Sequence, residues 1–165
     1  MRIHIERLVS PNILSDYCCR QVLSLVLADQ GFSSYDLTLV LTDNRYLHHL
    51  NRRFRGIDRT TDVIAFALLE GAPLPIPNRT LGDIYISLPR ARSQARRSRV
   101  TPQEELARLM IHGVLHLLGY DHIRPGQVKI MQRLEEKYLT ACRRYFTAKK
   151  AGGYKSNKGL IPKRR

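Results

Sequence analysis

The sequence predicts a single domain that contains both α-helices and β-strands. At 165 residues the chain has the length of one domain with a substantial core of its own. Four short segments have the apolar pattern of strands, and about five longer segments repeat apolar residues at helical spacing. A hydrophobic content of 43% with 25% charged residues is ordinary for a soluble globular protein.

The predicted strands differ in the arrangement of their apolar residues. Residues 2–8 and Asp36–Thr42 alternate apolar with polar side chains, which is typical of strands buried on one face. Residues 61–68 form a near-continuous apolar run, which predicts burial on both faces. Residues 81–88 complete the set, and the proline-rich segment at 71–77 predicts a loop before them.

The first two predicted helices are placed by residues that begin and end helices. Ser10 followed by Pro11 predicts the start of the first helix, and Gly31 predicts its end. Asp43 and Gly56 bracket the second helix in the same way. This helix carries two adjacent histidines at 48 and 49, which point about 100° apart and are interpreted as surface residues.

Three further helices follow in the second half of the chain. Residues 89–99 contain five arginines and predict a basic helix. Thr101 and Glu104 form a capping-box pattern that begins the next helix, with a proline at its first position. The last predicted helix spans about 127–146.

The charge balance indicates a polyanionic partner. The chain has 28 Lys and Arg against 14 Asp and Glu, a net charge of +14, so nucleic acid is the leading candidate. An anionic membrane surface is second, but no amphipathic basic helix or lipidation signal supports it. Nine Lys and Arg residues follow position 142 with little apolar content. We therefore predict a domain at 1–146 and a basic, disordered tail at 147–165 that strengthens RNA binding.

The cysteines and apolar segments predict a cytoplasmic location. The chain has three cysteines, two of them adjacent, and neither this number nor this spacing is typical of a disulfide framework. The chain therefore fits a reducing compartment. No signal peptide is recognisable, and no apolar stretch approaches the roughly 20 residues needed to cross a bilayer.

The segment HGVLHLLGYDH at residues 112–122 has the pattern HxxxHxxGxxH. Residues four apart share a helix face, with Cβ atoms about 5–6 Å apart, so His112 and His116 could reach one ion. Gly119 predicts the end of the helix, and a reversal there would bring His122 back as a third ligand. Three imidazoles and one open position are typical of catalytic zinc. Histidines on a leucine-rich helix surface are the disfavoured alternative, because the full pattern is uncommon.

The residue after the first histidine argues against proteolysis. A zinc protease of the HExxHxxGxxH type uses glutamate there as its general base, whereas this chain has Gly113. What remains is a Lewis-acid ion that polarises a substrate oxygen or lowers the pKa of bound water to about 7. Asp121 suits either a proton acceptor beside His122 or a simple turn residue, and the sequence leaves both open.

A phosphodiester substrate would account for both the predicted ion and the strongly basic chain. Arginine stabilises the negative charge that builds on a phosphate during cleavage. The stretch NRRFRGIDRTTD at residues 51–62 places arginines and a turn just before the strand at 61–68. The same arginines suit a solvated helix end, where cations favour the helix dipole. On these residues alone, the solvated helix end is favoured.

Three motifs resemble one known family. HGVLHLLGYDH closely resembles the signature of the YbeY family, bacterial metal-dependent endoribonucleases of ribosomal RNA maturation and ribosome quality control. LNRRFRGIDRTTDVIAF is similar to the family's stretch of asparagine, aromatic-Arg-Gly and Thr-Asp-Val, and LGDIYIS to its Leu-Gly-Asp-Ile strand. The resemblance covers roughly residues 36–145, and its histidine motif is the most specific part.

The resemblance implies a fold and a site. It implies an α+β fold in which a small mixed four-stranded sheet packs with about five helices, the metal-site helix lying in the C-terminal half. It implies one zinc ion per chain, bound by His112, His116 and His122. It also implies that Arg55 is the catalytic arginine and contacts the RNA phosphate, with Arg59 as a second substrate-binding residue.

The resemblance also implies an activity. It predicts a single-strand-specific, zinc-dependent endoribonuclease acting on the 3′ end of 16S rRNA and in ribosome quality control. Its partners would be rRNA, the ribosome and ribosome-associated proteins. Water and the ribose 2′-hydroxyl both stay open as nucleophile.

The chain departs from the family pattern at three places. Ala65 and Ala67 stand where the family commonly has serine and proline, IRPGQ at 123–127 replaces an acidic run, and the basic tail lies outside the shared core. Two other functions stay open. One is a ribosome-bound, RNA-binding assembly factor with a structural metal, disfavoured because structural sites usually contain cysteine thiolates. The other is a metalloprotease with a different base.

Overall fold

The structure is a computed structural model that describes residues 1–68, 79–120 and 125–147. The loop predicted at 71–77 and nearly all of the predicted basic tail lie outside the described residues. Asp121 and His122 do so as well.

The sheet is mixed and has four strands, as predicted. The strands are β1 (Ile3–Arg7), β2 (Asp36–Thr42), β3 (Val63–Ala67) and β4 (Thr80–Ser87). Their order across the sheet is β1-β2-β4-β3, with β1, β2 and β4 parallel and β3 antiparallel to β4. The bounds of β2 match the prediction because its alternation of leucine and valine with polar residues is regular.

Six helices lie among the described residues, against about five predicted. They are α1 (Asp16–Asp29), α2 (Asn44–Arg55), α3 (Leu88–Ser98), α4 (Pro102–Leu117), α5 (Pro125–Cys142) and α6 (Arg144–Thr147). The additional helix arises because the segment predicted as one helix to residue 146 breaks at Arg143. The break places Tyr145 and Phe146 against the main core beside α1, where the Cys18 thiol donates to the Tyr145 carbonyl oxygen.

The predicted start of α1 at Ser10 and Pro11 is wrong. The helix begins after Ser15, whose side chain accepts the backbone N–H of Cys18 at 3.2 Å. Asp16 then adds a negative charge to the first turn, which favours the helix dipole. A start at Ser15 therefore provides both an N-cap side chain and a favourable charge in the first turn. Together they stabilise this start more than the Ser10-Pro11 pair stabilises the earlier one.

The two faces of the sheet are covered unequally. The main core lies on one face, where α1, α3 and α4 pack against the strands and α5 packs against α1 and α4. On the opposite face, here called the outer face, α2 is the only described helix that packs, and it forms a small cluster of Leu47, Leu50 and Ile64. Strand β3 has apolar packing on both faces, as its apolar run predicts. Only Ile64 of this strand is fully buried, however, because β4 is its only strand neighbour within the described ranges.

Helix α4 lies unusually close to the sheet. A Cβ atom built on Gly113 would stand 2.7 Å from Cγ2 of Ile84 in β4, which is nearer than side chains tolerate. Residues on nearly all sides of α4 are buried. The helix that carries the histidine motif is thus held rigidly against the core.

The described part of the chain contains three cysteines, and its helices can be compared with the length that a bilayer span requires. Cys18, Cys19 and Cys142 are free thiols. None of the helices described here combines the length and the apolar character that a bilayer span requires.

Candidate metal centre

The ends of α4 are defined by the residues that the sequence singled out. The Thr101 side chain caps the helix by accepting the backbone N–H of Glu104 at 3.1 Å, with Pro102 as the first helical residue. At the other end, Gly119 adopts a φ of 86°, a left-handed conformation that glycine enters at little cost. The N–H of Gly119 bonds to the His116 carbonyl, and that of Tyr120 to the Leu115 carbonyl, both at 3.0 Å. The chain therefore turns out of the helix just before position 122.

His112 and His116 converge on one point. Their Nε2 atoms lie 3.1 Å apart, and the ring centroids are 4.6 Å apart with planes inclined by 74°. Both side chains are partly buried on one face of α4. Two nitrogens bound to one tetrahedral zinc at about 2.0–2.1 Å would be roughly 3.3 Å apart. The observed separation suits a shared ion.

Glu135 on α5 orients the first histidine. Its Oε1 lies 2.6 Å from Nδ1 of His112, and the two side chains are 19% and 18% exposed. This contact favours the tautomer with the proton on Nδ1, so Nε2 presents its lone pair to the site. Glu135 is not among the residues predicted from the sequence to form the site. The available signal was a carboxylate on the buried face of α5, four residues after Met131 and three before Tyr138.

A partly buried ion pair lies one turn before His112 on α4. The guanidinium of Arg108 donates to both oxygens of Glu105, with a distance of 3.0 Å from Nε to Oε2. These hydrogen bonds raise the pKa of Arg108, burial opposes them, and the charges of Glu135 and Asp62 add to the rise. Asp62, just before β3, contacts α3 through Gln94, and α3 in turn packs against α4.

The start of β3 is tied to α3. Gln94 donates to the Asp62 carboxylate at 2.7 Å, and the Arg90 guanidinium donates to both oxygens of Thr60, at 2.9 Å and 2.6 Å. Burial acts to raise the pKa of Asp62, but hydrogen bonds from Gln94, the Val63 N–H and Thr61 outweigh it and lower that pKa. The turn between α2 and β3 is thus anchored on the side of the sheet that carries α4.

Arg55 ends α2 at the start of this anchored turn, and Arg59 lies within the turn. Both side chains are exposed, and within the described ranges neither guanidinium makes a hydrogen bond or ion pair. The structure brings His112 and His116 into contact, but it does not bring either arginine into contact with them. Both cations are available to an anion in solvent.

Asn51 holds the turn that carries the two arginines. Its side chain is 3% exposed, and its amide nitrogen donates to the Arg59 carbonyl at 2.8 Å. Its own carbonyl accepts the N–H groups of Gly56 and Ile57, and Gly56 adopts a φ of 68°. The Asn51 amide therefore points inward and positions the turn.

A hydrogen-bonded chain supports the end of the histidine motif. The Tyr120 hydroxyl donates to Gln30 at 2.9 Å, Gln30 donates to the Tyr138 oxygen at 2.6 Å, and Tyr138 donates to Asp29 at 2.6 Å. Burial and the bond to Asp29 raise the pKa of Tyr138 to about 12. Tyr120 is thereby fixed to α1 and α5 just before position 121.

The metal centre is described only in part. Within residues 1–68, 79–120 and 125–147, no group of three or more His, Cys, Asp or Glu side chains is arranged to hold a metal ion. The predicted third ligand, His122, lies outside this part of the chain. The donor set fits zinc by its chemistry, since two imidazoles converge and a carboxylate orients one of them.

Comparisons with known proteins agree with the predicted resemblance. The model of the family described as Endoribonuclease YbeY matches residues 11–143. Endoribonuclease YbeY of Pelotomaculum thermopropionicum is 46% identical over 117 residues, covering 69% of this chain and 77% of the relative. Endoribonuclease YbeY of Persephonella marina is 34% identical over 147 residues, covering 88% of this chain and 95% of the relative.

A solved structure shares the fold. The solution structure of TM1509 from Thermotoga maritima superposes with a TM-score of 0.57 at 26% identity, covering 85% of this chain and 88% of that chain. The α+β fold with a mixed four-stranded sheet is thereby confirmed.

Proposed function

The chain belongs to the YbeY endoribonuclease family, and on this premise we propose that it is a zinc-dependent endoribonuclease that cleaves single-stranded RNA. The family match supports hydrolysis of RNA phosphodiesters, and the basic composition supports a polyanionic substrate. We propose the 3′ end of 16S rRNA and ribosome quality control as its setting, in the cytoplasm and at the ribosome. The domain would span residues 1–146, with the tail at 147–165 adding phosphate contacts.

The observation that supports the proposal most directly is the convergence of His112 and His116, with Glu135 behind the first. We propose that these two histidines and His122 hold one zinc ion. When bound, the ion would supply Lewis-acid chemistry at the phosphodiester. Glu135 keeps the proton of His112 on Nδ1 and fixes the ring plane, so that Nε2 needs no reorientation on binding.

The exposed arginines supply the second part of the proposed site. Arg55 would contact the phosphate undergoing cleavage, since its planar guanidinium can donate two parallel hydrogen bonds to phosphate oxygens. Arg59 would bind a neighbouring phosphate. Because Asn51 fixes the turn on which both stand, little backbone freedom is lost when RNA binds.

The test combines metal analysis with cleavage of matched RNAs. We expect purified protein to contain about one zinc per chain and to cleave a single-stranded oligonucleotide faster than its duplex. His112→Ala should lose both metal and cleavage, and Arg55→Ala should lose cleavage but keep the metal. His4→Ala and Arg97→Ala, at exposed positions away from the histidine pair, serve as matched controls.

The product ends would identify the nucleophile. A 2′,3′-cyclic phosphate indicates attack by the ribose hydroxyl, and a 5′-phosphate with a 3′-hydroxyl indicates water. If metal-loaded protein cleaves no RNA and metal removal unfolds it, the protein is instead an RNA-binding assembly factor with a structural metal.

A further inference from the structure

The outer face of the sheet carries an open pocket of about 530 Å³ between α2 and strands β3 and β4. Side chains alternate between the two faces of a strand. In β4, Ile84 and Ile86 belong to the main core beneath α4, so Asp83 and Tyr85 project to the other face. The pocket is therefore separated from the histidine pair by the thickness of the sheet.

Four aromatic rings line this pocket, two of them well exposed. Tyr46 stacks on Tyr85 with centroids 6.1 Å apart, Tyr85 meets Phe66 edge to face at 5.8 Å, and Phe66 meets Phe54 at 5.3 Å. The exposed fractions of Tyr46 and Phe54 are 41% and 59%. Large aromatic side chains grouped on an open surface are typical of a binding site rather than of a core.

The polar groups in the pocket complement a nucleotide. The Arg53 guanidinium lies 5.5 Å from the centre of the Phe54 ring, and the Asp83 carboxylate lines the same space. Aromatic faces stack on bases, arginine pairs with phosphates, and a carboxylate accepts hydrogen bonds from the amino groups of base edges. A chain with a net charge of +14 would draw an anionic strand towards this surface.

The turn after α2 connects this pocket with the proposed cleavage site. Arg53 and Phe54 line the pocket, Arg55 ends the helix, and Arg59 follows on the turn that α3 anchors through Thr60. A strand of RNA that passes around the β3 edge of the sheet would meet these cations in succession.

We propose that this aromatic pocket binds an unstacked nucleobase of the single-stranded substrate, at a position separate from the cleaved bond. The proposal rests on the proposed function, because that function supplies RNA as the ligand. The pocket would extend the enzyme's contact with the strand beyond the phosphates at the histidines.

A fluorescence experiment tests the stacking directly. The chain contains no tryptophan, so Phe54→Trp introduces a single reporter at the pocket. In a protein that also carries His112→Ala to prevent cleavage, a single-stranded RNA oligonucleotide should quench the tryptophan emission. An abasic oligonucleotide of equal length and charge should not quench it.

An affinity measurement with matched variants provides the second readout. Tyr46→Ala combined with Phe54→Ala should weaken binding of the intact oligonucleotide by roughly tenfold or more, with the abasic oligonucleotide unaffected. Tyr17→Ala removes a ring that is 67% exposed on α1 and should leave both affinities unchanged.

The outcomes separate this proposal from the proposed function. Unchanged emission with RNA, together with unchanged affinity of the double variant, overturns the pocket proposal even when cleavage is normal; the surface would then suit a protein partner. Base-dependent quenching in a protein whose metal-loaded form cleaves no RNA supports the pocket and overturns the nuclease.

Discussion

Removing the carboxylate behind His112 should weaken metal binding without unfolding the protein. Glu135 contacts Nδ1 of His112 at 2.6 Å, and both side chains are less than one-fifth exposed, so water replaces the contact poorly. Loss of such a supporting contact typically lowers metal affinity by about 10–100-fold, or roughly 1.4–2.8 kcal/mol. We expect Glu135→Ala to fall in this range. Glu135→Gln should fall between Glu135→Ala and wild type, because the amide oxygen can still accept the Nδ1 proton.

The assay is a competition titration with a chromophoric zinc chelator at fixed pH, accompanied by thermal unfolding of the metal-free proteins. Glu136→Gln is the matched control, since it removes a neighbouring charge from an exposed position on α5. Wild-type zinc affinity in Glu135→Ala would refute the orienting role. An equal loss of affinity in Glu136→Gln would attribute the effect to general charge instead.

Three further predictions concern the parts that hold the site in place. Asn51→Asp, which cannot donate to the Arg59 carbonyl, should destabilise the fold by about 1–3 kcal/mol and weaken RNA binding, measured by urea unfolding and an RNA titration. Tyr138→Phe tests the raised pKa of Tyr138, about 12. The hydroxyl's stabilising contribution is complete below the ordinary tyrosine pKa near 10 and is lost as pH rises towards 12, so the stability difference between variant and wild type should shrink across that window. Asp62→Asn tests a lowered pKa: its destabilisation of about 1 kcal/mol should be present above pH 4 and disappear as pH falls further, and a constant difference between pH 3 and pH 7 would contradict it.

The parts of the fold that were predicted correctly are those with local chemical causes. The β2 strand follows from its alternation, the start of α4 from Thr101 and Pro102, and the ends of α2 and α4 from Gly56 and Gly119. The i,i+4 spacing likewise predicted that His112 and His116 would meet. Each of these features depends on a few neighbouring residues, and so the sequence records it.

The features that escaped prediction depend on contacts between distant segments. Glu135 and His112 are 23 residues apart in the sequence. No sequence pattern beside either residue indicates that α5 packs on α4 so that these two side chains meet. The last predicted helix breaks at Arg143 because of contacts with other elements. The inward orientation of the Asn51 side chain depends on such contacts as well. The aromatic pocket was missed because its rings come from three elements and converge only once β3 pairs with β4.

The close approach of α4 to β4 also limits how this protein could evolve. A glutamate at position 113 would supply the base that peptide hydrolysis requires, but its Cβ would meet the Ile84 side chain at 2.7 Å. The helix would have to move away from the sheet, and the two histidines would move with it. A smaller residue at position 84 would relieve this contact without such a shift. The close packing of α4 on β4, and not the chemistry of the base alone, therefore separates this site from that of a protease with glutamate at this position.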